Sequence, residues 1–318
     1  MSVNSLKYNK KIALVTHVIK ERMMLLRYYK FFAKRKSGNM IVSRFDSRRM
    51  GYGLNDRLKS IVSMYALSKV LKAEFRCEFT HPFDLADYLV PNRYNWLQKK
   101  GEINQSICGT KVIIAQGEPS VGRILRSFSR KGQLHVYANR DYLDEINNLF
   151  GEHFVWGDLF NELFKPSELL QDNLKKYSFP DGYIACAFRF RSILGDFDDG
   201  NCAVLNDDEK EKLIKLLKNK IIELRESSRK KVFVTSDSQK FLSSLSDLDD
   251  VFTNEGRIAH IDNTSTSNDE AYLRTFMDYY MLANSEHIYS VGTSQMYKSQ
   301  FHEYAAKLNG IPFERIEL

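Results

Sequence analysis

The run Tyr183-Ile184-Ala185-Cys186-Ala187-Phe188-Arg189-Phe190-Arg191 constrains this chain more than any other stretch. Its length and apolar content predict a buried strand, entered from the turn formers Pro180-Asp181-Gly182. Arg189 stands at the carboxyl end of that strand, and in open α/β sheets ligands sit beyond that end. A guanidinium fork there suits phosphate. Arg191, two residues on, is expected on the same side if the strand continues. The run therefore predicts a phosphate or pyrophosphate site.

Strand and helix signals alternate on both sides of it. Residues 40–45 read as a strand, Gly51-Tyr52-Gly53 as a loop, 55–71 as a helix and 74–79 as the next strand. Leu54, Leu58, Ile61, Val62, Tyr65 and Ala66 give the helix its apolar face. That is one βαβ unit, so a doubly wound sheet is expected to start near residue 39, with further strands at 112–115 and 134–137. Residues 165–180 read as polar and linker-like. A second alternation then runs through a helix at 207–226, a strand at 231–235, a helix at 268–283 and a strand at 287–291. A helix at 295–308 and a strand at 313–317 complete it. The expected class is α/β, with two Rossmann-like domains facing across a cleft: a basic N-terminal segment 1–38, a first domain 39–175 and a second 176–318.

The basic segment has its own pattern. Ile12, Val15, Ile19, Met23, Leu26, Tyr29 and Phe32 recur at three to four residues among Lys20, Arg22, Arg27, Lys30, Lys34, Arg35 and Lys36. An amphipathic helix over 12–36 follows, either packed on its domain with its lysines in water or lying on an anionic membrane surface. A net charge of +7 in 318 residues favours an anionic partner. The chain shows no RNA-binding signature and no zinc-finger spacing, so nucleic acid is not expected. Cys77, Cys108, Cys186 and Cys202 form no CxxC pair and read as free thiols. With no signal-peptide pattern and no apolar window long enough to span a bilayer, the expected location is the cytoplasm, with peripheral contact at the inner membrane face through 12–36.

Four short motifs, in order, resemble those of the fucosyltransferase superfamily of two-domain glycosyltransferases. This group includes bacterial nodulation and α-1,6-fucosyltransferases and protein O-fucosyltransferases. Gly53-Leu54-Asn55-Asp56-Arg57 approximates its glycine-rich turn, and Ala187-Phe188-Arg189 lies on its strand ending in HxR. Val234-Thr235-Ser236-Asp237 matches its strand ending in a T-D pair. Asp278, the strand after it and the turn Gly292-Thr293-Ser294 follow its last motif. The resemblance implies a GT-B-type architecture and a metal-independent, inverting transfer of L-fucose from GDP-fucose to a bacterial surface glycan or other oligosaccharide. It implies that Arg189 holds the donor pyrophosphate. Three departures bear on the sugar: the family histidine is Ala187, its acidic residue is Ser192, and its serine cluster is reduced to Ser294 and Ser299. A same-fold transferase with another nucleotide sugar, and a non-catalytic protein that binds an anionic glycan or nucleotide, stay open as alternatives.

The chemistry assigns roles. Arginine, lysine and helix N-terminal amides must meet the charge of a leaving diphosphate where no metal does so. Arg189 is the expected catalytic contact. Gly53, Asn55, Arg57, Arg191, Asp237, Gly292, Thr293 and Ser294 are expected around the donor, Arg57 facing the cleft and Asp237 accepting from the base or ribose. Each also has a plain reading: Asn55 and Asp237 as caps, and Thr293 and Ser294 as a helix start. His81 and Asp84 are candidates on the acceptor side, where a capped helix start explains the same letters. Asp196-Phe197-Asp198-Asp199 has the form of a metal-binding pair, but Gly195 and Gly200 bracket it as an exposed loop. No metal and no cofactor beyond the nucleotide-sugar substrate is expected.

Overall fold

Parallel strands need crossovers of a dozen or more residues, usually helical, and the strand signals are spaced accordingly. In the computed structural model the described residues are 19, 23, 26–30, 32, 38–46, 53–115, 120–177, 179–197, 203–258, 261 and 269–318. Among them the chain begins with strand β1 (Met40–Phe45), helix α1 (Leu54–Leu71), β2 (Glu74–Phe79), β3 (Leu89–Pro91), β4 (Thr110–Ala115), α2 (Val121–Ser127), β5 (Gln133–Ala138) and α3 (Leu143–Phe150). There follow α4 (Trp156–Leu163), β6 (Phe164–Pro166), α5 (Glu168–Leu174), β7 (Tyr183–Phe188), α6 (Asp207–Ser228) and β8 (Lys231–Ser236). The last elements are α7 (Gln239–Ser243), β9 (Val251–Phe252), α8 (Asp269–Ala283), β10 (Ile288–Gly292), α9 (Phe301–Asn309) and β11 (Phe313–Glu317).

The described residues fall into two units. The first lies within 1–51, 56–81 and 95–154, the second within 52–55, 82–94 and 155–318. Residues 82–94 and 155–175, expected with the first domain, thus group with the second unit. The stretch 165–180 is no plain linker: Ser167 caps α5 by accepting from the Leu170 amide at 3.3 Å. β6 also pairs antiparallel with β3.

The first unit holds a four-stranded parallel sheet in the order β2-β1-β5-β4. Helix α1 covers the face that carries Phe45, Phe75 and Phe79, where Tyr65 packs on Phe75 at 5.4 Å and the Arg57 guanidinium lies 5.0 Å over Phe79. Strand alternation leaves Arg44, Arg76 and Glu78 on the opposite face. Most of the basic helix expected over 12–36 lies outside the described residues. Within them, 19, 23 and 26–28 are helical, Ile19, Met23 and Leu26 are exposed, and Tyr28 is buried beside Ile114 and Tyr137.

The second unit holds a five-stranded parallel sheet in the order β11-β10-β7-β8-β9. Every residue of central β7 is buried. Ile184, Cys186 and Phe188 pack with Leu213, Leu217, Ile221 and Leu224 of α6, whose four- and three-residue spacing makes one apolar stripe. A capping box between Asn206 and Glu209 starts that helix. The other face meets α8, where the Tyr183 hydroxyl donates to the Met281 carbonyl at 2.7 Å. Helices on both faces make the sheet doubly wound, as the alternation predicts. Among the cysteines, Cys77 and Cys186 are buried, Cys108 is exposed, and Cys202 lies outside the described residues. Burial pushes the Cys186 thiol up to about 12. Among the described residues no helix is long and apolar enough to cross a membrane.

Candidate active site at the carboxyl end of the second sheet

The order of the second sheet creates one switch point. The chain runs from β7 outward through β8 and β9, then returns to the other side of β7 with β10 and β11. Crossovers on the two sides depart in opposite directions, which opens a crevice beyond the carboxyl ends of β7 and β10. Arg189 is the first residue after β7, and Thr293 the first after β10. The two predicted phosphate-binding elements therefore flank the switch point.

Arg189 is held there from below. Its Nε lies 3.3 Å from Oδ2 of Asp237, the first residue after β8, and its Cζ lies 4.9 Å over the Phe197 ring. The Arg189 side chain is 23% exposed and that of Asp237 only 3%, so the guanidinium is the partner that reaches solvent. Asp237 does more than pair with it. Oδ1 accepts from the Phe190 amide and Oδ2 from the Arg191 amide, each at 2.7 Å. Burial raises the Asp237 pKa, while Arg189 and the two amides oppose that rise. Both carboxylate oxygens are thus engaged within the chain, as a brace for the turn and not as a free acceptor for a base or ribose.

The same bonds end the strand. β7 stops at Phe188, Phe190 is buried, and Arg191 takes a left-handed φ of 56°. Alternation along a continuing strand, the basis for expecting Arg191 beside Arg189, does not apply. The turn instead sets the Arg191 guanidinium 5.2 Å over the exposed ring of Tyr297. The Tyr297 amide donates to the Arg189 carbonyl at 3.1 Å, which ties the β7 and β10 loops together.

Gly292 closes β10, and Thr293 and Ser294 follow in a turn where the Met296 amide donates to the Thr293 carbonyl at 3.0 Å. Sequence periodicity places a helix from 295, but α9 begins at Phe301. Buried Met296 and the Tyr297 bond to Arg189 hold the intervening residues as a loop. No helix N-terminus therefore stands at Gly292–Ser294. What the turn offers is the Thr293 hydroxyl, buried and without a hydrogen-bond partner, and the exposed Ser294.

His302 is a neighbour that no sequence signal announces. It is buried on α9, with Nδ1 at 3.0 Å from the Ser290 hydroxyl. Burial, and then the charges of Arg189 and Arg315, pull its pKa down to about 3. Asp278, read as structural, accepts from the Thr235 hydroxyl at 2.7 Å and the Asn254 amide at 2.6 Å. Asp196 accepts from the Ser238 hydroxyl at 2.9 Å and the Lys240 amide at 2.7 Å, so one oxygen of the suspected metal pair anchors the start of α7. Asp198 and Asp199 lie outside the described residues, and among the described residues no group of three or more His, Cys, Asp or Glu is placed to hold a metal.

The remaining expected residues sit elsewhere. Arg57 is buried over Phe79 and Phe45 and donates to the His81 carbonyl. This guanidinium braces the chain at 81. Asn55 lies inside α1, which starts at Leu54, so it is not the cap of that helix. It is buried with an unpartnered Oδ1, and a Cβ on Gly53 would meet open space. Asp84 caps a 3₁₀ turn over Leu85–Asp87 by accepting from the Ala86 amide at 3.0 Å.

No protein-family model matches the chain. No curated protein matches it significantly. Among solved structures the fold is similar to that of Arabidopsis thaliana FUT1, a fucosyltransferase, in an arginine-to-lysine mutant in complex with GDP. The TM-score is 0.56 at 13% identity, over 93% of this chain and 74% of that one. The shared property is the fucosyltransferase-like α/β fold.

Proposed function

We propose that the chain is a metal-independent inverting glycosyltransferase that takes L-fucose from GDP-fucose and passes it to an oligosaccharide acceptor. The observation that carries this reading is the pairing of Arg189, braced by Asp237, with the unpartnered Thr293 hydroxyl across the β7/β10 switch point. A buried hydroxyl without a partner costs about 1–3 kcal/mol, a cost that an arriving phosphate oxygen relieves. The fold shared with a GDP-bound fucosyltransferase supports the nucleotide and the sugar.

In this reading Arg189 is the catalytic residue. Its guanidinium stabilises charge on the diphosphate as the bond from the anomeric carbon to the diphosphate oxygen breaks and GDP leaves with the bonding pair, while the acceptor hydroxyl oxygen bonds from the opposite face and gives its proton to a base on the acceptor side or to water. Arg191 adds a second positive charge, Ser294 a further hydroxyl, and Gly292 lets the backbone run close. Two arginines meet the leaving charge, so the reading needs no divalent ion. The two units are proposed to act as donor and acceptor domains, with His81 on the acceptor side; Asp84, expected there too, groups with the donor unit. The exposed Ile19, Met23 and Leu26, each helical and close in sequence to Arg27 and Lys30, support peripheral contact with an anionic membrane. Liposome co-sedimentation of an Ile19→Ser, Met23→Ser, Leu26→Ser variant tests that contact, which is wrong if binding is unchanged.

Thermal stabilisation by GDP, UDP, CDP, ADP and GDP-fucose, with and without EDTA, tests the main reading. A shift selective for GDP and GDP-fucose, insensitive to EDTA and lost in Arg189→Ala, is the expected result. Selectivity for another nucleotide keeps the transferase and replaces the sugar. Binding without transfer to any acceptor points to a non-catalytic binding protein.

A further inference from the structure

The first unit contains a polar cavity of about 410 Å³ that none of the roles above uses. Its walls include Arg44, Glu78, Gln98, Lys99, Lys100 and Gln105. Arg44 and Glu78 are register partners on β1 and β2 and lie on the sheet face that α1 leaves uncovered. The segment over that face is pinned in place. Arg76, two residues before Glu78, binds both oxygens of Glu102 at 3.0 Å, and a Glu102 oxygen also accepts from the Lys99 amide at 2.8 Å. Farther along, the Asn104 amide donates to Gln133 Oε1 at 2.7 Å.

The wall carries three basic groups against one acidic group. Arg44 is 2% exposed. Its Nη2 pairs with Asp46 at 2.5 Å and with Glu78, the guanidinium lies 5.0 Å over Tyr28, and Nε and Nη1 have no hydrogen-bond partner. A buried guanidinium with two unused nitrogens is costly for stability alone. Lys99 and Lys100 stand exposed beside it, while Gln98, Gln105 and Glu78 supply the neutral donors and acceptors that sugar hydroxyls need. The volume lies in the range of small-ligand sites, which is about 300–1,000 Å³.

We propose that this cavity binds an acidic saccharide unit, its carboxylate or phosphate held by Lys99, Lys100 and Arg44 and its hydroxyls by the glutamines and Glu78. Naming that unit part of the acceptor rests on the transferase reading; the binding itself does not.

Calorimetric titration of the full chain with glucuronate, glucose 6-phosphate, glucose and inorganic phosphate is the test, run on the natural sequence and on Lys99→Ala, Lys100→Ala. The substituted lysines are exposed, so the fold survives, and unchanged GDP binding checks this in the same preparations. At least one acidic sugar is expected to bind about tenfold tighter than glucose and free phosphate, and the double variant to lose about tenfold. Glucuronate and glucose 6-phosphate tell carboxylate from phosphate. Equal binding of glucose, phosphate as tight as both sugars, an unaffected double variant, or no binding up to about 10 mM overturns the proposal. Loss of GDP binding by the natural protein would instead strike the transferase reading, with the sugar titrations judged separately.

Discussion

Asp237 holds Arg189 by its Nε, 3.3 Å away, while the same carboxylate takes the amides of Phe190 and Arg191 at 2.7 Å each. One buried acid at the end of β8 thus sets both the side chain and the backbone turn at the end of β7.

Asp237→Ala removes the acceptor of two amides at once, one buried and one half-buried. Hydrogen bonds to charged groups contribute about 1.5–3 kcal/mol each, so the loss in urea unfolding should reach about 3 kcal/mol. Asp237→Asn keeps one amide acceptor and should lose less. A loss below about 1 kcal/mol for the alanine variant would contradict the brace.

Arg189→Ala should cost about 1–3 kcal/mol, because the buried Asp237 carboxylate keeps its two amides but loses its counter-charge. It should weaken GDP binding by at least about tenfold, with Arg189→Lys intermediate because the planar fork is lost. Equal GDP affinity in all three proteins would remove Arg189 from the site.

Thr293→Val exchanges an unpartnered buried hydroxyl for a methyl of similar shape. The free protein should be as stable or more so, by up to about 1 kcal/mol, while GDP binding weakens. Differential scanning calorimetry with and without GDP reads both effects, and a destabilised free protein would show that the hydroxyl has a partner.

Gly157 lies where α4 meets the end of α9, and a Cβ there would press on the carbonyl oxygens of Lys307 and Leu308. Gly157→Ala should cost about 1–3 kcal/mol in chemical unfolding. A neutral substitution would mean that these helices separate more readily than their packing shows.

His302 is held down to about 3 from an ordinary value of 6.5, and burial pulls His135 well below its ordinary value too. The unfolded chain takes up these protons near pH 6.5, while the folded chain refuses that of His302 until about pH 3. Stability should therefore fall as pH drops from 6.5 towards 3, by about 1 kcal/mol per pH unit for His302, with no slope from it above pH 7. Urea titrations between pH 7.5 and 5 on the natural protein and His302→Gln check this, the variant expected to show the flatter profile.

Periodicity alone determined the elements: the buried run before Arg189, the stripe of α6 and the βαβ start near residue 40 were all legible, because apolar spacing records which face is covered. The position of Arg189 at a strand end was legible for the same reason. Where the strand stops was not, since Asp237 lies 46 residues from Arg191 and a hydrogen bond across that distance leaves no local pattern. The late start of α9 has the same origin, a buried methionine and a tie to the Arg189 carbonyl overriding a helical spacing. Arg57 reads as a ligand contact by its motif, which does not show its packing on two phenylalanines and its bond to a carbonyl. The cavity beside Arg44 had no sequence signal at all, because register alone brings Arg44 beside Glu78, and the Arg76–Glu102 pair lays the lysines over them. Local pattern encodes burial, while only the folded chain decides which charges meet.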